Sequence, residues 1–145
     1  MSTLVVQPWA RWNAFIDLIA TENYEDLADE QRIAHLAFFY DSEVQNGGHF
    51  QYFVNAHAQR ASETIAALRG VGADDQASIL ADALKRWDRR PRPKISTAKD
   101  FVSAGQSMFV DLDSCFHDST PSIRQCLERY LDDHEPMFIE YTDAV

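Results

Sequence analysis

The residues best suited to do chemistry in this chain lie in one short stretch, which runs from Glu43 to Asn55 around an Asn-Gly-Gly turn. Free backbone N–H groups at the turn could attract an anion or a carbonyl group, and the nearby side chains could line a small polar pocket. Such a pocket would serve a small-ligand binder or an enzyme. Its members would be Glu43, Asn46, Gly47, Gly48, His49, Gln51 and Asn55. Alternatively, Gln51 and Asn55 hydrogen-bond the turn and the neighbouring helix end, because buried amides need partners.

No arrangement typical of a known catalytic or metal centre occurs in the sequence. The GxSxG, P-loop, GxGxxG and HExxH patterns are absent. Ser114-Cys115 near His117 could suggest a nucleophile and base, but residues two apart on a helix do not face each other, and no orienting acid is specified. His49 and His57 would lie about 12 Å apart along a regular helix, too far to share a metal without other ligands. We therefore predict no catalytic residue, no metal and no cofactor, and the sequence favours a protein that is not an enzyme.

A second candidate site consists of carboxylates near both ends of the chain. The formal net charge is −10, with −6 over residues 1–50, +3 over residues 51–100 and −7 over residues 101–145. This charge argues against direct binding of nucleic acid, which needs a basic surface. It fits either a basic protein partner or simply a solvated surface. The candidate acids are Glu25, Asp26, Asp29, Glu30, Asp132, Asp133 and Glu135.

The helical spacing of apolar residues predicts the elements that position these groups. Predicted helices cover about residues 7–20, 29–46, 48–57, 62–69, 74–87, 97–116 and 121–131, and a basic loop with prolines covers residues 88–94. Asp29 and Thr120 are predicted N-caps. No stretch alternates with the period of a strand. The sequence therefore predicts an all-α fold, a single compact multi-helix domain over residues 1–145, packed around the turn at residues 46–48.

The expected compartment follows from the cysteines and the apolar segments. Cys115 and Cys126 match no zinc or redox spacing, so we expect free thiols in a reducing compartment. The N-terminus shows no basic segment followed by an apolar one, and no apolar run approaches the roughly 20 residues of a membrane span. These features predict a cytoplasmic protein that does not bind membranes.

The central stretch resembles the signature of a bacterial family of small helical proteins. In that family an acidic residue precedes Asn-Gly-Gly, and Phe, Gln, Phe or Tyr, and Asn follow, as they do here in the sequence EVQNGGHFQYFVN of residues 43–55. Leu112-Asp113 with Phe116 is similar to a second, weaker motif, and residues 66–73 fit the segment between the two. His49 is an extra residue between the glycines and the phenylalanine. The resemblance covers about residues 29–116, the family-like core of the chain.

That family is typified by a neisserial DNA-mimic protein, an acidic helical dimer whose carboxylates imitate DNA phosphates and occupy a helix-turn-helix transcription factor. The resemblance implies that the acids named above bind the basic face of a DNA-binding protein, and that this chain forms a homodimer. The basic segment from Lys85 to Lys99 departs from a uniformly acidic mimic. Two alternatives stay open: a small-ligand binder or enzyme at the Asn46-Gly47-Gly48 turn, and an interaction or immunity-type module with an unrelated partner.

Overall fold

The computed structural model of this protein describes residues 7–55, 57–90 and 98–141. Within these ranges the chain forms seven α-helices, three short 3₁₀ turns and no strand. The helices are α1 (Pro8–Thr21), α2 (Asp29–Val54), α3 (Ala61–Gly70), α4 (Asp74–Asp88), α5 (Ala98–Met108), α6 (Val110–Asp118) and α7 (Ile123–Asp133). The prediction of an all-α domain is confirmed. None of the described helices combines the length and the apolar character needed to cross a bilayer.

Helix α2 turns sharply in its middle, at the two glycines of the central stretch. Gly47 has φ −155° and ψ 18°, and Gly48 has φ 74° and ψ −175°, so the helical backbone is interrupted at both residues. A positive φ of this size is open to glycine at little cost, because glycine has no Cβ atom. The predicted end of one helix and start of another at this turn are therefore confirmed. The second arm ends at Val54, three residues before the predicted end.

The core forms around α2, which contacts each of the six other helices. Its buried side chains include Tyr40, Val44, Tyr52 and Phe53, which are all at most 3% exposed. The ring of Tyr40 meets that of Tyr52 edge-on, with centroids 5.2 Å apart, so the second arm of α2 lies against the first. The apolar run of residues 33–44 is buried along one face and half-buried around the rest of the helix.

Three predicted boundaries are wrong, each for a local reason. The N-cap of α2 is Ala28 rather than Asp29. The amide of Ala28 donates to Gln31 Oε1 at 2.8 Å, so a side chain of the helix itself accepts one of the N–H groups at the helix start. The N-cap of α7 is Ser122 rather than Thr120, because Ser122 and Gln125 hydrogen-bond each other reciprocally at 2.9 and 3.2 Å. The predicted helix over residues 97–116 is two helices that meet at Phe109, whose backbone leaves the helical range at φ −118° and ψ 11°.

Candidate functional site: the glycine corner and the acidic end

The inner side of the turn in α2 is a buried hydrogen-bond network centred on His49. The imidazole is fully buried, and its Nε2 lies 2.7 Å from the hydroxyl of Tyr40. Its Nδ1 lies 2.6 Å from Asp113 Oδ1, and the same oxygen accepts the backbone N–H of His49 at 2.9 Å. Because a carboxylate only accepts, we assign the imidazole proton to Nδ1, which leaves Nε2 to accept from Tyr40. Burial raises the pKa of Tyr40 well above its usual value and keeps this donor protonated.

The network depends on the absence of a side chain at Gly48. A Cβ atom on Gly48 would overlap Asp113 Oδ2 and lie 3.0 Å from Asp113 Cγ. The carboxylate therefore reaches the backbone of His49 only because position 48 is glycine. Asp113 lies on α6, so this hydrogen bond joins α6 to the middle of α2.

The outer side of the same turn carries a second, more exposed network. Glu43 Oε2, on the first arm, accepts from Gln51 Nε2 at 2.9 Å and from Asn55 Nδ2 at 2.8 Å, both on or just after the second arm. The side chain of Gln51 lies directly over Gly47, where any Cβ atom would collide with it. One carboxylate thus ties the two arms of α2 together. We call these inner and outer networks, with residues 46–48 between them, the glycine corner.

The seven residues predicted to line a pocket divide between the two sides of the glycine corner. Glu43, Gln51 and Asn55 converge within hydrogen-bond distance on the outside, whereas His49 points into the core and Asn46 is exposed. Three grooves on the described surface lie elsewhere: between α1 and α7, between α2 and α3, and at the end of α4. Across the described residues, no group of three or more His, Cys, Asp or Glu side chains is placed to hold a metal ion.

Sequence reasoning missed Tyr40 and Asp113 as members of the inner network. Tyr40 was counted with the apolar stripe of α2, since periodicity does not distinguish a tyrosine that contributes its hydroxyl from one that only packs. A signal for Asp113 did exist, because it stands between Leu112 and Phe116 in the second stretch that carries the family resemblance. An acidic residue beside two buried side chains needs a partner, and the extra His49 is that partner.

Hydrogen bonds join the two segments that carry the predicted acidic clusters. The hydroxyl of Tyr130, on α7, donates to the carbonyl oxygen of Glu30 at 3.1 Å, and Gln31 Nε2 donates to the carbonyl oxygen of Met137 at 2.6 Å. These bonds join the start of α2 to the end of α7 and the 3₁₀ turn after it. We use the name acidic end for the predicted acids of these two segments. They are Glu25, Asp26, Asp29, Glu30, Asp132, Asp133 and Glu135.

Three of the seven carboxylates form ion pairs with two arginines of the same chain. Arg11 Nη2 lies 3.0 Å from Asp132 and 2.7 Å from Glu135, and Arg60 lies 3.6 Å from Glu25. The hydrogen bond to Asp132 raises the pKa of Arg11. None of the other four, which are Asp26, Asp29, Glu30 and Asp133, forms an ion pair with a described residue. Arg89 and Arg90 do not pair with the acidic end, and Arg92 lies outside the described residues.

Comparison with known proteins identifies the family of this chain but finds no individual protein that matches it. No curated protein and no solved structure matches it. One family model does match, that of the DMP19-like protein, over residues 25–134. The matched range contains the whole glycine corner, Asp113 and all of the acidic end except Glu135. Because it covers well over half of the chain, this protein belongs to the family of DMP19-like proteins.

Proposed function

We propose that this protein is a non-enzymatic, acidic binding protein that acts as a DNA mimic, with its acidic end on the basic surface of a DNA-binding protein or transcription factor. The observation that carries this proposal is that the two segments bearing the acidic clusters, far apart in the sequence, are hydrogen-bonded to each other. Four of their carboxylates have no ion-pair partner among the described residues. An acidic surface left unneutralised is complementary to a basic one.

In such a complex, carboxylates of this protein would occupy the positions that DNA phosphates occupy on the partner. Each carboxylate carries one negative charge on two hydrogen-bond acceptors, so it suits the arginine and lysine side chains that contact a DNA backbone. The overall charge of −10 steers a basic partner toward the protein over long range. Added salt screens this attraction, so the affinity falls steeply as ionic strength rises.

In this proposal the glycine corner is a scaffold. Its inner network fixes α6 to the middle of α2, and its outer network fixes the two arms of α2 to each other. The first turn of α2 carries Asp29 and Glu30, so the rigidity of the corner helps to hold part of the acidic end in one shape. A charged surface that is fixed in advance loses less entropy on binding than a flexible one.

The test is capture from a bacterial lysate with matched charge variants as bait. The acidic-end variant is D26N/D29N/E30Q/D133N, and the control variant is D75N/D82N/D88N/D118N, which removes four exposed acids elsewhere. Either set changes the formal net charge from −10 to −6. We expect the wild type and the control to retain a DNA-binding protein that elutes in a salt gradient and is displaced by duplex DNA, and the acidic-end variant to lose it.

Two results would contradict the proposal. If the acidic-end variant and the control lose the partner equally, net charge rather than this surface governs binding. If the retained protein is not displaced by duplex DNA, the acidic end does not occupy a DNA-binding surface, and mimicry fails even though binding occurs.

A further inference from the structure

The end of α4 forms a basic groove on an otherwise acidic protein. The groove has a volume of about 460 Å³, and its walls are Asp82, Lys85, Arg86, Arg89, Arg90 and Met108. Four of these six side chains are cationic, although the whole chain carries a formal net charge of −10. A concave surface of this size suits a small molecule.

Two of the four cations are held in fixed orientations. Arg86 Nη1 donates to the carbonyl oxygen of Met108 at 2.9 Å, and its guanidinium group bonds both carboxylate oxygens of Asp111, at 2.7 and 3.1 Å. The guanidinium carbon of Arg90 lies 3.6 Å from the centre of the Trp87 ring, and Arg90 Nη1 donates to the Trp87 carbonyl at 2.7 Å. Side chains fixed in this way lose little further conformational entropy when an anion binds.

The other two cations, Lys85 and Arg89, are exposed at the groove. Neither forms an ion pair with a residue that the structure describes. Asp111 is already paired with Arg86, and the exposed Asp82 and Asp88 offset only part of the remaining positive charge. The C-terminal end of the α4 dipole, equivalent to roughly half a negative charge, stabilises the cations and offsets a further part of their charge. The groove therefore keeps a local excess of positive charge.

We propose that this groove is a binding site for a small phosphate-bearing ligand, with the exposed Lys85 and Arg89 as its anion contacts and Arg86 and Arg90 as the fixed cations beside them. Phosphate oxygens fit the planar guanidinium fork and give short, charge-assisted hydrogen bonds. A small ligand responds mainly to charges within the Debye length, about 8 Å at physiological salt. An extended polyanion such as duplex DNA also meets the acidic remainder of the surface and is repelled.

The groove is separate from the acidic end, so this inference does not depend on the proposed function. The acidic end is built on the start of α2 and the end of α7, whereas the groove is built on the end of α4 with Met108 of α5. Among the described residues the two surfaces share no ion-pair or hydrogen-bond partner.

The test is a titration of the full chain, followed by amide chemical shifts, with orthophosphate, pyrophosphate and ATP at constant ionic strength. We expect saturable shifts at residues 82–90 and at Met108, with pyrophosphate and ATP binding more tightly than orthophosphate because they carry more charge. K85A/R89A should weaken pyrophosphate binding about tenfold or more, since it removes two charge-assisted contacts. The matched control is R69A/R129A, which removes two exposed arginines elsewhere and should bind like the wild type.

Three outcomes would overturn the proposal. One is the absence of saturable shifts at the groove with every phosphate probe. Another is equal weakening in K85A/R89A and in R69A/R129A, which would mean that only overall charge matters. The third is tighter binding of a short DNA duplex than of pyrophosphate, lost in K85A/R89A, which would identify the ligand as a nucleic acid backbone.

Discussion

The glycine corner and the acidic end both contain carboxylates, but these differ in whether groups of the same chain compensate their charge. At the corner, Asp113 and Glu43 each accept hydrogen bonds from two groups of the same chain. At the acidic end, four carboxylates have no ion-pair partner within the described residues. Satisfied polar networks fix a structure, whereas uncompensated like charges destabilise one. The contrast indicates that the corner stabilises the fold, whereas these four carboxylates form no ion pair that would stabilise it.

The largest effect expected from this comparison is that of G48A. The substitution places an L residue at a φ of 74° and drives its Cβ atom into the carboxylate of Asp113. At this φ and ψ, a region open essentially to glycine alone, the backbone cost is about 1–3 kcal/mol, and displacement of the buried network adds about 1–3 kcal/mol. We expect a loss of about 2–6 kcal/mol in the free energy of unfolding, measured by urea denaturation.

Gly72 supplies the control for this prediction. Its φ is 86°, and a Cβ atom there would meet nothing within 4 Å. G72A should therefore show the backbone cost alone, about 1–2 kcal/mol. Equal losses in the two variants would show that the contact between position 48 and Asp113 contributes nothing beyond backbone conformation.

The positions of the helices were predictable from the sequence, but the directions of their polar side chains were not. Apolar spacing placed α2 at the centre, and Asn46-Gly47-Gly48 marked its turn, because both signals are local. The pairing of His49 with Asp113 spans 64 residues of chain, and no local pattern specifies it. Likewise the ion pairs of Arg11 with Asp132 and Glu135 join the two ends of the chain, so only the packing of α1 against α7 could reveal which acids are neutralised.

The second effect, of intermediate size, is that of D113A. Removing this carboxylate leaves the backbone N–H and the Nδ1–H of the buried His49 without their acceptor. An unsatisfied buried donor costs about 1–3 kcal/mol, and the partial exposure of Asp113 lets water recover some of this. We expect a loss of about 2–3 kcal/mol in the free energy of unfolding.

D113N separates the hydrogen bonds of this network from its charge. An asparagine oxygen at the same place accepts both bonds without a negative charge. If D113N retains most of the stability that D113A loses, the network acts through its hydrogen bonds. A loss in D113N as large as that in D113A would mean that the negative charge of the carboxylate, and not only its capacity to accept, stabilises the network.

The smallest effect on stability is expected at the acidic end, in D26N/D29N/E30Q/D133N. Two opposing contributions nearly cancel: Asp29 and Glu30 interact favourably with the positive end of the α2 dipole, by about 0.3–1 kcal/mol each, and the four carboxylates repel one another. We expect a net change below about 1 kcal/mol in the free energy of unfolding.

The sharper measurement is the dependence of stability on salt, because screening relieves repulsion between exposed like charges. The wild type should become more stable as sodium chloride is added, and the acidic-end variant should gain less. The control D75N/D82N/D88N/D118N has the same net charge, −6, but keeps the acidic end, so its gain should stay closer to that of the wild type. Equal gains in the two variants would mean that the repulsion is spread over the whole surface, and the contrast between the corner and the acidic end would then reduce to net charge.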